Sequence, residues 1–438
     1  MADSRSTVKS LDCKLAAIHA DPSGCREFIL ADAKDADMAL GLGAPGLSPE
    51  LHAGEVRFKT LEEYREQMRL ITKQGLVDIM LMSASSNYAL TFSEHLFANS
   101  HVTPAIRAND TTDVHLARGS NYVQSPALPF RSASLDHAQC GHLDCTPEER
   151  SLGANLGLYS VTFNNDLKHD IATLERFHQF REEAERKGFR YFLEVFDPNM
   201  PNVVPPDILP KYLNDMITRM LAGVAPSGRP DFLKIVYHGP KAMEELVRFD
   251  PQMIVGILGG SAGTTLDAFQ LLHDAQKYGA RVALYGRKIN HAENQLAFVQ
   301  FLRLIVEGVI KPVDAVKAYH AVLQKLGVTP HRSLEDDLKQ HAGAGVMSYG
   351  GTAATVTVPP LPKVEGCACH TAAKPAPSST GDCGCHASEP KVQPIATKAT
   401  FSSTNGAYPT SPDGRPDFSR MNVDQRLAYH RKRLGLGL

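Results

Sequence analysis

From about residue 25 to residue 340, short apolar runs alternate with longer amphipathic ones. Eight of the short runs are rich in strand formers: FILADA (28–33), VDIMLMS (77–83), PAIRAN (104–109), LGLYSVTF (156–163), FRYFLEVF (189–196), FLKIVYH (232–238), MIVGILG (253–259) and RVALYG (281–286). The stretches between them carry apolar residues at helical spacing. DIATLERFHQFREEAERKG repeats at Ile171, Leu174 and Phe177 and stops at Gly188, while TTLDAFQLLHDAQKYG and NQLAFVQFLRLIVEG stop at Gly279 and Gly308. A glycine just past the last helical turn supplies the left-handed residue that ends a helix. Strand, helix, glycine and strand in succession predict a parallel sheet covered by helices, joined by right-handed crossovers. Eight such units predict an α/β fold of the closed (β/α)8 type, a TIM barrel, over residues 1–344. The polar segment at about 110–155, after the third strand, interrupts the rhythm and reads as an insertion that serves as a lid or an oligomer contact.

The pattern stops near residue 345. Downstream lie GVMSYGGTAATVTVPPLPK, KPAPSSTGD and EPKVQPIATKATFSSTNGAYPTSPDGRPD, rich in Pro, Ser and Thr. Such a segment buries too little apolar surface to offset the entropy of ordering it, so residues 345–438 read as a long, mostly disordered tail. Its end, SRMNVDQRLAYHRKR, has the pattern of a short basic helix from about residue 420.

Composition narrows the class of function. Hydrophobic residues make up 43% of the 438-residue chain and charged ones 21%, enough for a large core with a wetted surface. The formal charge of -2 gives no reason to expect nucleic acid or an anionic membrane surface as partner. The start, MADSRSTVKSLDCK, has no secretory apolar stretch, and nothing later has the length of a bilayer span, so a cytoplasmic protein is expected. Of the 8 cysteines, Cys13, Cys25, Cys140 and Cys145 are scattered and suggest no disulfide framework, while the other four crowd into the tail.

In a barrel of this kind, chemistry sits where the C-terminal ends of the strands converge. Lys234 lies inside the apolar strand FLKIVYH, where burial without a partner favours a neutral, nucleophilic amine and pairing with a carboxylate is the plain alternative. The seventh strand ends in Gly259–Gly260 and the eighth in Gly286–Arg287. Each precedes a helix-like stretch, so backbone N–H groups, a helix N-terminus and the Arg287 guanidinium are all expected near a phosphate. Asp32 ends the first strand, with Lys34 two residues on and roughly on the same face; Glu194 lies near the end of the fifth. Both carboxylates are candidates for proton transfer or for plain interior hydrogen bonding. Ser83 and Ser85 after the second strand can add hydroxyls, and Arg107 and Asn109 ending the third can bind substrate oxygens.

With these motifs, residues 25–320 resemble the class I aldolases of the bacterial and archaeal fructose-bisphosphate type, most strongly over 230–311. DFLKIV matches the family's lysine strand, Gly259–Gly260 and Gly286–Arg287 match its two phosphate loops, and IVEG matches its closing helix. The resemblance implies a usually oligomeric (β/α)8 barrel acting on a phosphorylated ketose through a Schiff base at Lys234, with no metal or other catalytic cofactor. Two positions depart from the family. Asp32-Ala33-Lys34 stands where Asp-His-Gly is usual, and no tyrosine stands near the end of strand five, where Glu194 is the nearest replacement and Tyr191 lies too early. The expected function is an aldehyde-lyase. An isomerase or transaldolase-like enzyme on a sugar phosphate, and a non-catalytic phosphate-binding barrel, remain open beside it.

The tail adds a separate chemistry. Cys367-Ala-Cys369-His370 and Cys383-Gly-Cys385-His386 are two copies of one pattern, together offering thiolates and imidazoles suited to zinc or copper(I). Exposed thiols and reversible disulfides are the competing readings.

Overall fold

Ile29, Ala31 and Ala33 of the first strand, β1 (Ile29–Lys34), point to one side and Leu30 to the other, and both sides are buried. The same holds for β2 (Ile79–Met82), β3 (Thr103–Arg107), β4 (Leu156–Thr162), β5 (Arg190–Phe196), β6 (Leu233–Ile235), β7 (Val255–Leu258) and β8 (Val282–Tyr285). Burial on both faces explains why these runs read as continuously apolar rather than alternating. Each strand pairs in parallel with its neighbour, and β1 pairs with β8 from Ile29↔Val282 to Asp32↔Tyr285, which closes an eight-stranded barrel. All eight predicted strands are present within a few residues of their expected positions.

The computed structural model describes residues 8–52, 55–117, 119–260 and 263–340, with Pro409, Arg420 and Gln425. The expected tail, its C-terminal helix and the metal ligands Cys367, Cys369, His370, Cys383, Cys385 and His386 lie outside the described residues, as do Ser261 and Ala262 after strand β7. Contacts divide the chain into one unit of residues 1–48 and 58–357, which contains the barrel, and a second of residues 49–57 and 358–438. Among the described residues, no helix is long and apolar enough to cross a membrane.

Two apolar layers build the barrel. Outside, helices such as Leu61–Gln74, Leu167–Arg186, Thr265–Lys277, Gln295–Val306 and Pro312–Lys325 pack on the outward residues of the strands. Gly188, Gly279 and Gly308, just beyond three of these helices, have φ of 60°, 110° and 72°, as their sequence positions predict. Inside, Ile29, Ala31, Ile79, Leu81, Leu158, Phe192, Phe232 and Val282 fill the lower lumen together with Leu11, Leu15 and Ile18. Those last three come from helix Ser10–Ala20, which lies across the strand N-termini. Its Lys14 meets Asp78 and the Phe28 carbonyl, its Asp12 meets Arg190, and its His19 meets Gln252. The lumen is thus plugged at its N-terminal end.

The polar insertion is only partly irregular. Asp110–Thr111 pairs antiparallel with Pro129–Phe130, and a short helix spans Leu135–Gln139 before the chain enters β4. The expectation of no disulfide among the first four cysteines is corrected here: Cys140 and Cys145 form one, while Cys13 and Cys25 are free. At a sequence separation of only 5, the two cysteines staple a local loop rather than a framework.

Candidate functional site

The open C-terminal end of the barrel holds a cavity continuous with solvent. Its walls include Asp35, Arg107, Glu194, Lys234, Gly260, Gly286 and Arg287, with Val114 and Leu116 reaching over from the insertion. Val114, Phe196, Val236 and Leu258 form an apolar patch around it. Strand parity decides which side chains arrive here. On β6, Phe232 and Lys234 face inward while Leu233 and Ile235 face the helices. On β5, Phe192 and Glu194 face inward on the same rule.

Lys234 is paired. Its Nζ lies 2.5 Å from Glu194 Oε1, in register with it across the β5–β6 ladder. The Ser160 hydroxyl donates to the other Glu194 oxygen at 2.7 Å, and Arg107 reaches that same hydroxyl oxygen at 3.3 Å. Arg107 Nη1 then donates to Asp35 Oδ2 at 2.9 Å. The result is one chain of charge, Lys234–Glu194–Ser160–Arg107–Asp35, drawn from strands six, five, four, three and one. Burial alone would lower the pKa of Arg107, but Asp35, Glu194 and Asp110 around it outweigh burial and hold it raised. Arg107 is therefore a fixed cation binding the carboxylates together.

Several sequence candidates land elsewhere. Asp32 and Lys34 do share a face, but it is the outer face of β1. Their charged ends lie 3.3 Å apart and fully buried, with Lys34 donating to Asn290 and Gln295 behind the strand. Burial raises the Asp32 pKa to about 6 against the opposing pull of Lys34, and burial lowers that of Lys34. The lumen carboxylate from the first strand is Asp35, one residue beyond the strand end and in phase with Ala31 and Ala33. A raised carboxylate pKa favours the protonated folded state. Stability should therefore fall as pH climbs from the unfolded value of about 3.9 towards about 6, a segment of the profile that Asp32→Asn removes. Thermal unfolding of both proteins across that range measures it, and identical profiles would show that Asp32 does not titrate there.

Asn109 is also spoken for. Its amide accepts from Ser160 N–H at 2.7 Å and donates to Ser160 C=O at 2.8 Å, continuing the β3–β4 ladder where the backbone pairing ends. Ser83 donates to Asp37 at 2.5 Å and caps a short turn, and neither it nor Ser85 lines the cavity. Tyr191 faces outward, its hydroxyl donating to the Gly228 carbonyl, so it offers no acid or base to the lumen.

The glycine motifs divide. Gly260 and Gly286 line the cavity beside Arg287. Gly259 is required by packing, because a Cβ there would sit 2.2 Å from the Tyr285 ring. The helix after β7 does not offer the free N-terminus expected from the sequence. Asp267 accepts from Thr264 N–H and Asp337 accepts from Thr265 N–H, so its first donors are already held by carboxylates. What the two motifs bring to the cavity is therefore Arg287 and the backbone around Gly260 and Gly286. Sequence reasoning missed Asp35, Ser160, and a His238–Asp197 pair (2.8 Å) just past strands six and five. Each of these residues sits inside, at the end of, or one or two residues beyond a run already recognised as a strand.

No family model matches this chain, and no curated protein does. Among solved structures, an archaeal fructose 1,6-bisphosphate aldolase is similar at 14% identity and TM-score 0.46, over 67% of this chain and 99% of its own. A protein from Corynebacterium glutamicum is similar at 16% identity and TM-score 0.45, over 70% and 100%. Orotidine 5'-phosphate decarboxylase from Pyrococcus horikoshii follows at 12% identity and TM-score 0.35, over 64% and 100%. The barrel itself rests on the strand pairing, and none of these likenesses assigns a reaction to the chain.

Proposed function

We propose that the protein is a Schiff-base lyase of the aldolase type, acting on a phosphorylated ketose at Lys234. The observation that carries this reading is the Lys234–Glu194 contact inside a lumen open to solvent. A lysine there has a partner able to take its proton and a cavity able to admit a carbonyl. Glu194 accepts a proton from the Lys234 ammonium, and the free amine attacks the ketone carbon. Loss of water from the carbinolamine, with the proton returned to the departing hydroxyl, leaves a cationic imine. That cation receives the electron pair released when the neighbouring carbon–carbon bond breaks. Asp35, held by Arg107 on the opposite side of the cavity, is the group available to take the proton from the substrate hydroxyl. Arg287 holds the phosphate and so orients the reacting carbons.

Glu194→Gln keeps the shape of the site but removes the proton acceptor. It is expected to slow imine formation by about 10²–10⁴-fold, measured as the rate of borohydride-trappable adduct. An unchanged rate would remove Glu194 from the reaction. Arg287→Ala is expected to weaken phosphorylated ketoses while leaving trapping of a non-phosphorylated ketone unchanged, and equal losses on both would contradict a phosphate role.

The absence of a tyrosine hydroxyl among the described cavity residues favours one alternative. With only carboxylates to move protons, the same imine could tautomerise without cleavage, giving an isomerase. Product analysis by NMR separates the two, since only the lyase releases a carbon fragment.

A further inference from the structure

The loop before β4 carries a second cluster of reactive side chains, far from the lumen chemistry in its connections. It runs Cys140-Gly-His142-Leu-Asp-Cys145 and continues to Glu149. The sulfur of Cys140, a ring nitrogen of His142 and a carboxylate oxygen of Glu149 all lie within 4.8 Å of one another. Cys145 shares the spot through its bond to Cys140. Two turns fold the loop back on itself, with Gly141 at φ 86° and Asp144 at φ 60°. Asp136 anchors the second turn by accepting from Asp144 N–H, and Asp136 is itself held by Lys187 at 2.8 Å.

We propose that, once the Cys140–Cys145 disulfide is reduced, this loop binds a zinc-like divalent cation through Cys140, Cys145, His142 and Glu149. A tetrahedral zinc site needs donors about 2.0–2.3 Å from the ion, which sets them closer to one another than the 4.8 Å bound already met here. Two thiolates, an imidazole and a carboxylate are a donor set that such an ion accepts. The loop also suits the reduced pair. Cys140 Sγ lies 3.2 Å from the His142 carbonyl oxygen and Cys145 Sγ 3.2 Å from that of Asp136, oxygens that accept S–H hydrogens only when the disulfide is open. His142 is exposed and gives the ion a path in.

The chemistry balances as two steps. A dithiol reductant supplies two electrons and two protons to the Cys140–Cys145 bond and itself becomes a disulfide. Cation binding then displaces both thiol protons to solvent. Oxidation removes two of the four donors, so the oxidised loop releases the ion.

The test uses the full chain carrying Cys367→Ser, Cys369→Ser, Cys383→Ser and Cys385→Ser, so that the tail contributes no thiolate. Reduced and titrated anaerobically with cobalt(II), it is expected to bind one equivalent with a thiolate-to-cobalt charge-transfer band, and to bind none once the disulfide is re-formed. Adding Cys140→Ser and Cys145→Ser should abolish the band. His142→Ala, an exposed change that leaves the fold alone, should weaken binding by at least the ~10-fold that loss of even an outer-shell partner costs. No band in the reduced protein overturns the proposal, as does a band that survives the Cys140/Cys145 substitutions, persists with the disulfide intact, or is unaffected by His142→Ala.

Discussion

Lys234→Met is expected to abolish both turnover and covalent trapping, lowering kcat on the order of 10⁴-fold or more, as loss of a covalent nucleophile does. Methionine fills the space of the lysine stem, so the lumen stays packed and the lost activity reports on the amine. Glu194 is left without its cation at 1% exposure, but it keeps the Ser160 hydroxyl bond, so the barrel should still fold. The substitution therefore separates two roles that the Lys234–Glu194 pair allows. If Lys234 only neutralises Glu194, the variant changes stability and leaves activity. If Lys234 is the nucleophile, activity disappears from a protein with a native circular dichroism spectrum and an unchanged affinity for inorganic phosphate. Full activity in Lys234→Met would end the Schiff-base reading.

The largest effect on stability is expected at the other end of the barrel. Asp78, just before β2, is 2% exposed and gathers the Ser10 hydroxyl, the Lys14 ammonium, the Leu30 N–H and the Arg303 guanidinium. It ties the plugging helix Ser10–Ala20 and the helix Gln295–Val306 to the base of the barrel. Replacing it by alanine leaves a buried Arg303 and a half-buried Lys14 uncompensated, a change that costs about 3–5 kcal/mol in comparable buried pairs. Burial pushes the Asp78 pKa up, but Arg303, Lys14 and the Leu30 N–H prevail and hold it below the usual carboxylate value. The sign follows from that direction. A depressed folded pKa contributes stability that is complete above the unfolded value of about 3.9 and is lost as pH falls through the folded pKa. Urea unfolding of Asp78→Ala at neutral pH should therefore show the full loss, and the gap to the parent should narrow in acid. A neutral-pH difference under about 1 kcal/mol would mean that the network does not hold the plug.

The barrel was legible because its signal is repeated. Eight apolar runs with helices and terminal glycines between them leave few topologies, and an error at one boundary does not disturb the rest. The candidate site was legible only where parity could be read. Lys234 and Glu194 interrupt long apolar runs, and a charge inside such a run is tolerable in a barrel lumen near the mouth. Asp32 and Asp35 illustrate the opposite case. In ILADAKDAD the small residue Ala33 sits between charges, and β1 is buried on both faces, so alternation cannot tell lumen from helix side. What settles the phase is Lys34, which finds Asn290 and Gln295 more than two hundred residues later in the chain. No local pattern announces that pairing. Asn109 misled for a related reason: an amide at a strand end suits a ligand as well as it suits the Ser160 peptide that it pairs with. The helix cap after β7 was partly visible, since Thr264 and Asp267 have the spacing of a capping box. Asp337, which takes the next donor, was not.

The most direct test of the central claim is borohydride reduction of the full-length protein with a panel of phosphorylated ketoses, followed by peptide mass spectrometry. The expected result is one stable adduct, on the peptide bearing Lys234, formed with at least one ketose phosphate and absent in Lys234→Met. No adduct at Lys234 with any ketose phosphate that binds, or an adduct confined to another lysine such as Lys34, would contradict it.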